Sequence, residues 1–290
     1  MWQSVRQIQS QYDLVINFAY DWLPFYLTPW FDTPVAHLVS MGSLNDAMDL
    51  VVGEVADQYP HRVAVYTRTQ AATFPFAAAC YPLGSGLDLS LYEFCPQATA
   101  NPQVSLCWLG RIAPEKALED AVAAAQETGM PLKILGQIQD PDYWQGILRD
   151  FPQAPITYLG FQSTTAMQAI LRECAALVVT PRWVEAFGNV LIEALACGVP
   201  VIAYARGGPT EIIRNGVTGW LVEPDSVSGL VAAIHKLDQI DRKTCRLQAE
   251  QEYSLTAYGA ALQTWSQKIL RSSGSLEKNP TPVSKPAIGP

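Results

Sequence analysis

Short runs of apolar, mostly β-branched residues alternate with helical patterns along most of the chain. The runs at 13–18, 34–39, 62–66 and 80–83 predict four strands. After a break, 104–109, 131–135, 156–159, 176–180, 199–204 and 220–222 predict six more. Between these later runs, apolar positions at helical spacing predict helices near 116–128, 142–150, 164–173, 188–196 and 209–214. From Ser226 onward the pattern is helical only, over 226–237, 241–250 and 254–270. Strands that are apolar throughout and separated by helices point to parallel sheets covered on both faces. Two such sheets, one incomplete and one complete, accommodate these strands better than a single sheet does.

The segment 96–102 is polar and bounded by Pro96 and Pro102, which reads as a hinge. It divides the chain into a partial Rossmann-like unit over 1–100 and a fuller one over 101–271 that includes the closing helices. Residues 272–290 are mainly Ser, Pro, Lys and Gly, and are expected to form a disordered tail. No internal repeat is evident.

Composition narrows the chemistry. Of 290 residues, 49% are hydrophobic and 16% charged, enough apolar material for sizeable cores. The net charge of −8 and the absence of a Lys/Arg run argue against a nucleic-acid partner. The cysteines (Cys80, Cys95, Cys107, Cys174, Cys197, Cys245) show no paired spacing, and His37, His61 and His235 are scattered. Reduced thiols are therefore expected, with no metal site. No charged leader precedes an apolar run, and nothing approaches a membrane span of roughly 18 apolar residues. The expectation is a soluble, cytoplasmic protein.

Candidate chemistry gathers around Phe187-Gly188. Glu185 lies before the helix expected at 188–196 and Glu193 lies inside it, while Gly198 and Pro200 end it. Two carboxylates and a helix N-terminus with free N–H groups suit an anionic ligand that carries hydroxyls. An ordinary surface helix fits the same spacing. A second cluster follows the strand at 104–109. Gly110 permits a close turn, and Arg111 and Lys116 supply a fork and a point charge for phosphate. A solvated loop with two surface cations is the plainer reading.

Other phosphate signatures are missing. There is no GxxxxGK followed by Ser or Thr, and no GxGxxG after a strand, which disfavours P-loop enzymes and nicotinamide-dependent dehydrogenases. Gly84-Ser85-Gly86 is too short to count. Gly207-Gly208 marks either a close backbone approach to a ligand or a tight strand-to-helix turn. Asp140-Pro141-Asp142 matches a metal-binding DxD in form, but its place before an amphipathic segment reads as a helix N-cap.

With these residues in hand, the chain resembles glycosyltransferase family 4, retaining enzymes of the GT-B fold in which two Rossmann-like domains face a cleft. The resemblance runs from about Asp13 to Leu270 and is densest over 108–224. It is carried by an ordered set: Gly110-Arg111 with Lys116, Tyr158 to Phe161, Thr180-Pro181, Glu185 and Glu193 around Ala186-Phe187-Gly188, and 198–203. Gly207-Gly208, Glu211 to Ile213 and 219–224 complete it. More narrowly, 17–24, 37–43 and 110–120 are similar to cyanobacterial UDP-glucose:tetrahydrobiopterin glucosyltransferases.

The resemblance implies an acceptor-side unit at 1–100 and a nucleotide-sugar donor unit at 101–271. It implies hexose transfer, with glucose from UDP-glucose, to a small-molecule acceptor such as a reduced pterin, without metal or cofactor. Arg111 and Lys116 would neutralise the leaving diphosphate, and Glu185 would lie at the donor sugar. Glu193 would accept hydrogen bonds from the ribose diol. Phe187 and the backbone of Gly188, Asn189 and Val190 would contribute to phosphate binding, with Gly110 close by. Gly160 and Phe161 would read the base.

Three departures stand out. The chain reaches its first strand only at Asp13, so part of the N-terminal unit is expected to be absent. A truncated, non-catalytic nucleotide-sugar-binding module, or half of a split enzyme, is the alternative this raises. Tyr20-Asp21 stands where many members carry a His-Asp pair, and His37, within a strand, is expected to be structural. Ala117 follows Lys116 where a Gly is usual, a change that a helix should tolerate.

Overall fold

In the computed structural model, which describes residues 1–97 and 104–276, the chain folds around two parallel sheets. The first half runs α1 (Trp2–Ile8), β1 (Val15–Asn17), α2 (Trp22–Leu27), β2 (Val35–Val39), α3 (Asp46–Gln58), β3 (Val63–Val65), α4 (Arg68–Ala71) and β4 (Tyr81–Pro82). Its four strands lie in the order β1-β2-β3-β4, with His37 in register with Asn17 on one side and Val63 on the other. Every residue of β2 is buried, as a central strand covered on both faces requires.

The second half runs β5 (Leu106–Leu109), α5 (Leu118–Thr128), β6 (Leu132–Leu135), α6 (Pro141–Asp150), β7 (Ile156–Gly160), α7 (Thr164–Leu171) and β8 (Ala176–Val179). It continues through α8 (Asn189–Ala196), β9 (Val201–Tyr204), α9 (Pro209–Ile212), β10 (Gly219–Val222), α10 (Val227–Ile234), α11 (Arg242–Glu252) and α12 (Leu255–Leu276). The strand order is β10-β9-β8-β5-β6-β7, parallel throughout. The chain winds outward from β5 in one direction to β7, then returns to place β8 on the other side of β5. The crevice between the carboxyl ends of β5 and β8 is therefore the topological switch point, where open α/β sheets bind ligands.

The ten expected strands form, with ends shifted by a residue or two. The helices of the first half carry weaker patterns. In α3 only Val52, Gly53, Val55 and Ala56 are buried, and α1 buries nothing, so neither shows a wide apolar stripe. The segment 98–102 of the expected hinge lies outside the described residues. The expected tail is corrected at its start: α12 continues through 272–276, and 277–290 lie outside the described residues. Helix α12 also leaves the second half. It packs fully buried Trp265 and Ile269 against Ala36, Leu38, Ala64 and Leu83 of the first sheet, and the Trp265 indole donates to the carbonyl of His61 at 2.6 Å.

Two side chains settle alternatives left by the sequence. Asp140 caps α6 by accepting from the Tyr143 N–H at 3.0 Å, the role expected of it. His37 is fully buried, stacked on Phe25 with ring centroids 4.2 Å apart. The Asn17 amide donates to its Nδ1 at 3.1 Å, and Nε2 faces the Thr28 hydroxyl at 2.8 Å, which itself donates to the Pro24 carbonyl. Burial, with Arg62 nearby, holds its pKa down at about 3, so it is a neutral core residue.

Candidate functional site

The loops leaving β5 and β8 meet at the switch point. Lys116, from the first, donates from Nζ to Oε2 of Glu185, from the second, at 2.5 Å. Trp183 braces the pair: its indole N–H donates to the same Oε2 at 3.1 Å, and the Lys116 ammonium lies 4.6 Å from the ring centroid. Beneath them the Thr180 hydroxyl donates to the carbonyls of Lys116 and Ala117 at 3.0 and 2.8 Å, and accepts from the Trp108 indole at 3.3 Å. The Arg182 N–H closes on the Glu115 carbonyl at 2.9 Å.

Ala117 corrects an expectation. It is not a helix-interior residue but the N-cap of α5, in left-handed geometry at φ 44°, ψ 52°, and fully buried. A residue with a Cβ is strained there by about 1–2 kcal/mol, which explains why Gly would be the default.

Gly207 and Gly208 resolve toward a close backbone approach, but to protein. A Cβ at Gly207 would lie 2.4 Å from the backbone N and O of Glu185, and one at Gly208 would lie 2.2 Å from the Phe187 carbonyl. The Gly208 N–H donates to the Glu185 carbonyl at 2.6 Å. The glycine pair thus seats the Glu185 loop against the turn after β9.

Two adjoining cavities, of about 200 and 340 Å³, open at this point. The smaller is lined by Gly110, Arg111, Lys116, Glu185, Gly188, Asn189 and Val190, together with Trp108 and Thr180. The larger shares Gly110, Arg111 and Val190 and adds Phe161 and Glu193. Helix α8 starts beside them after Gly188, whose φ of 88° turns the chain into the helix. Its first N–H groups have no partner within the helix, which makes this an anion-binding end. Arg111 is half exposed, bonded to Gln139 and paired with Glu115 at 3.2 Å. Glu193 accepts from the Tyr92 hydroxyl at 3.0 Å, and burial pushes its pKa up while that hydrogen bond opposes the rise.

One expected side chain lies elsewhere. The Phe187 side chain is 5% exposed and turns into the core, 5.7 Å from the Tyr66 ring and 6.1 Å from that of Tyr253. Gly160, by contrast, ends β7 beside the larger cavity: its carbonyl accepts from the N–H of Gly136, which lines that cavity together with Phe161, at 2.9 Å. Conversely, Tyr92, Trp183 and Thr180 touch the site without having been assigned a role from sequence. Thr180 stood in the family motif, but Tyr92 lies in a segment with no motif or period.

A larger cleft of about 610 Å³ runs along α3, but Asp46, Asp49, Glu54 and Asp57 line it without a cation, which repels a phosphate. Among the described residues, no group of three or more His, Cys, Asp or Glu side chains is placed to hold a metal ion. Among them, too, no helix is long and apolar enough to cross a membrane.

Comparison with known proteins agrees with this geometry. A family model described as glycosyl transferases group 1 matches residues 97–252. The D-inositol 3-phosphate glycosyltransferase of Mycobacterium tuberculosis is 33% identical over 169 residues, 52% of this chain and 34% of that protein. The chain thus spans about a third of the curated relatives it matches. Among solved structures, Anabaena HepE in complex with UDP and glucose has a TM-score of 0.75 at 19% identity, covering 94% of this chain and 81% of that one. A glycosyltransferase from Rickettsia africae reaches 0.76 at 17% identity, covering 93% and 80%. These likenesses establish the GT-B arrangement of two parallel α/β sheets. With a family model matching more than half of its residues, the chain belongs to the group 1 glycosyl transferases.

Proposed function

We propose that the chain is a retaining glycosyltransferase that carries a hexose, glucose from UDP-glucose, to a small-molecule acceptor without a metal ion. The observation that carries this reading is the Lys116–Glu185 pair at the switch point, beside the open N-terminus of α8. In this reading the bond from the anomeric carbon to the diphosphate breaks, leaving positive charge on the sugar and negative charge on the departing phosphate. Lys116, Arg111 and the amides at the head of α8 meet the negative charge, and such preorganised donors are worth a few kcal/mol each. Glu185 meets the sugar, and Glu193 takes the ribose diol. Same-face attack by the acceptor within the ion pair retains configuration.

The complex of HepE with UDP and glucose supports a UDP-sugar donor, and the stretches similar to tetrahydrobiopterin glucosyltransferases extend the reading to a reduced pterin acceptor. Six free thiols suit a reducing compartment, which supports a cytoplasmic location. A second reading, a nucleotide-sugar-binding module or half of a split enzyme, is favoured by the smaller first sheet, with four strands against six.

Incubation with a panel of nucleotide sugars and acceptors, tetrahydrobiopterin among them, followed by mass spectrometry, separates these readings. A hexose-shifted product from UDP-glucose is expected. Donor binding without any product selects the binding module, and no nucleotide binding overturns both.

A further inference from the structure

The segment that leaves the first sheet after β4 crosses onto the donor pocket and lies along one face of α8. Ser85 donates to Oδ1 of Asn189 at 3.3 Å, and Tyr92 donates to Oε1 of Glu193 at 3.0 Å. Asn189 and Glu193 are four residues apart, so both lie on the same face of the helix. The segment is fastened behind this face. The Arg246 guanidinium binds the carbonyl of Tyr92 at 2.9 Å and that of Ala196 at 2.6 Å, while Arg242 binds the Cys95 carbonyl at 2.9 Å. Tyr92 itself is 5% exposed, so its ring has one position, and the hydroxyl has a carboxylate to meet there.

The geometry points to Tyr92 as a positioning residue of the donor site, whose hydroxyl holds one oxygen of Glu193 so that the other is presented to a ribose diol. The inference rests on the reading of Glu193 as the ribose ligand. A carboxylate with a free side-chain torsion pays rotamer entropy on binding, and the Tyr92 bond removes that cost in advance. The bond also favours the ionised acid, which burial disfavours. Of the other charged or titratable groups, Cys197 lies one turn beyond Glu193 with Arg242 and Arg246 of α11 and Arg172 after α7 acting on it, and Arg111 lines the same cavity as Glu193. Arg242 and Arg246 are committed to carbonyls, and Arg172 to Glu93. Tyr92 is thus the side chain that hydrogen-bonds the Glu193 carboxylate.

Calorimetric titration of wild type, Tyr92→Phe and Glu193→Ala with UDP and with 2′-deoxy-UDP, repeated from weakly acidic to weakly alkaline pH, tests this. Phe keeps the ring and its packing, so the fold is retained. Wild type should prefer UDP, and Glu193→Ala should lose the preference. Tyr92→Phe should weaken UDP by about five- to tenfold, the loss of one charge-assisted hydrogen bond, with little change for 2′-deoxy-UDP. Its UDP affinity should also begin to fall at a higher pH than that of wild type, because Glu193 takes up a proton sooner. A Tyr92→Phe variant with the wild-type preference and the wild-type acid limb overturns the inference and leaves the Glu193 reading standing. A wild type that binds both nucleotides equally overturns the Glu193 reading, and the inference with it.

Discussion

Lys116 and Glu185 stand 69 positions apart in the chain and meet at 2.5 Å. The fold brings them together because β5 and β8 are neighbours in the sheet, and each residue lies on the loop that leaves its strand. Each neutralises the other. In the proposed reading, a diphosphate entering the cavity offers Lys116 a stronger partner and releases Glu185 toward the sugar. Lys116→Ala should lower kcat by roughly a hundredfold or more with UDP-glucose, the effect of losing one preorganised donor to developing charge. Steady-state kinetics check this, and an unchanged kcat contradicts it.

Ala117 holds a strained, buried N-cap. Replacing it with Gly relieves about 1–2 kcal/mol of left-handed strain. The change also loses a buried methyl worth about 0.8 kcal/mol, and it frees the unfolded chain by about 0.4–1 kcal/mol. These terms nearly cancel, so Ala117→Gly should change stability by less than about 1 kcal/mol. Ala117→Val adds bulk and β-branching at positive φ and should destabilise by at least about 2 kcal/mol. Urea unfolding of both variants measures the contrast, and equal effects would argue against the left-handed cap.

Gly207→Ala forces a methyl to within 2.4 Å of the Glu185 backbone. The Glu185 loop must move, so the variant should lose nucleotide affinity as well as thermal stability. Gly129→Ala serves as a control: its φ of 68° strains any side chain, but no atom lies within 4 Å of the added methyl. It should lower stability and leave UDP affinity intact. Matched losses of affinity in the two variants would show that strain alone, not the Glu185 contact, is responsible.

His37 makes stability depend on pH in a defined direction. Its pKa is about 3 in the fold against 6.5 for the free side chain. Between these values the unfolded chain binds a proton that the native state does not. The contribution is therefore complete above pH 6.5 and is lost as pH falls toward 3. The slope should approach about 1.4 kcal/mol per pH unit. Urea unfolding between neutral and mildly acidic pH should show it, and His37→Gln should flatten it. An unchanged slope in the variant assigns the dependence to other groups.

The strands were legible because buried parallel strands read as continuous apolar runs, each flanked by a helix or turn, whereas the switch point needed the strand order. Glu185, Glu193, Arg111 and Lys116 were legible through motif order, and the fold places all four around adjoining cavities. Phe187 was misread because an aromatic residue inside a motif looks the same whether it faces a ligand or the core. The cap at Ala117 was misread because its φ comes from the junction of a 3-10 turn with α5, which spacing does not reveal. Tyr92 left no local signal at all. It reaches Glu193 across 101 positions, through the path of a segment that has neither period nor motif.

In the proposed reading the switch-point cavity binds a nucleoside diphosphate sugar through the Lys116–Glu185 pair and the head of α8. Titration of UDP-glucose into wild type and Lys116→Ala in metal-free buffer, followed by calorimetry, tests it most directly. Saturable binding by wild type that weakens at least tenfold in Lys116→Ala is the predicted result, matching about 1.4 kcal/mol or more for one charged contact. No binding by wild type, or equal binding by both proteins, would contradict it.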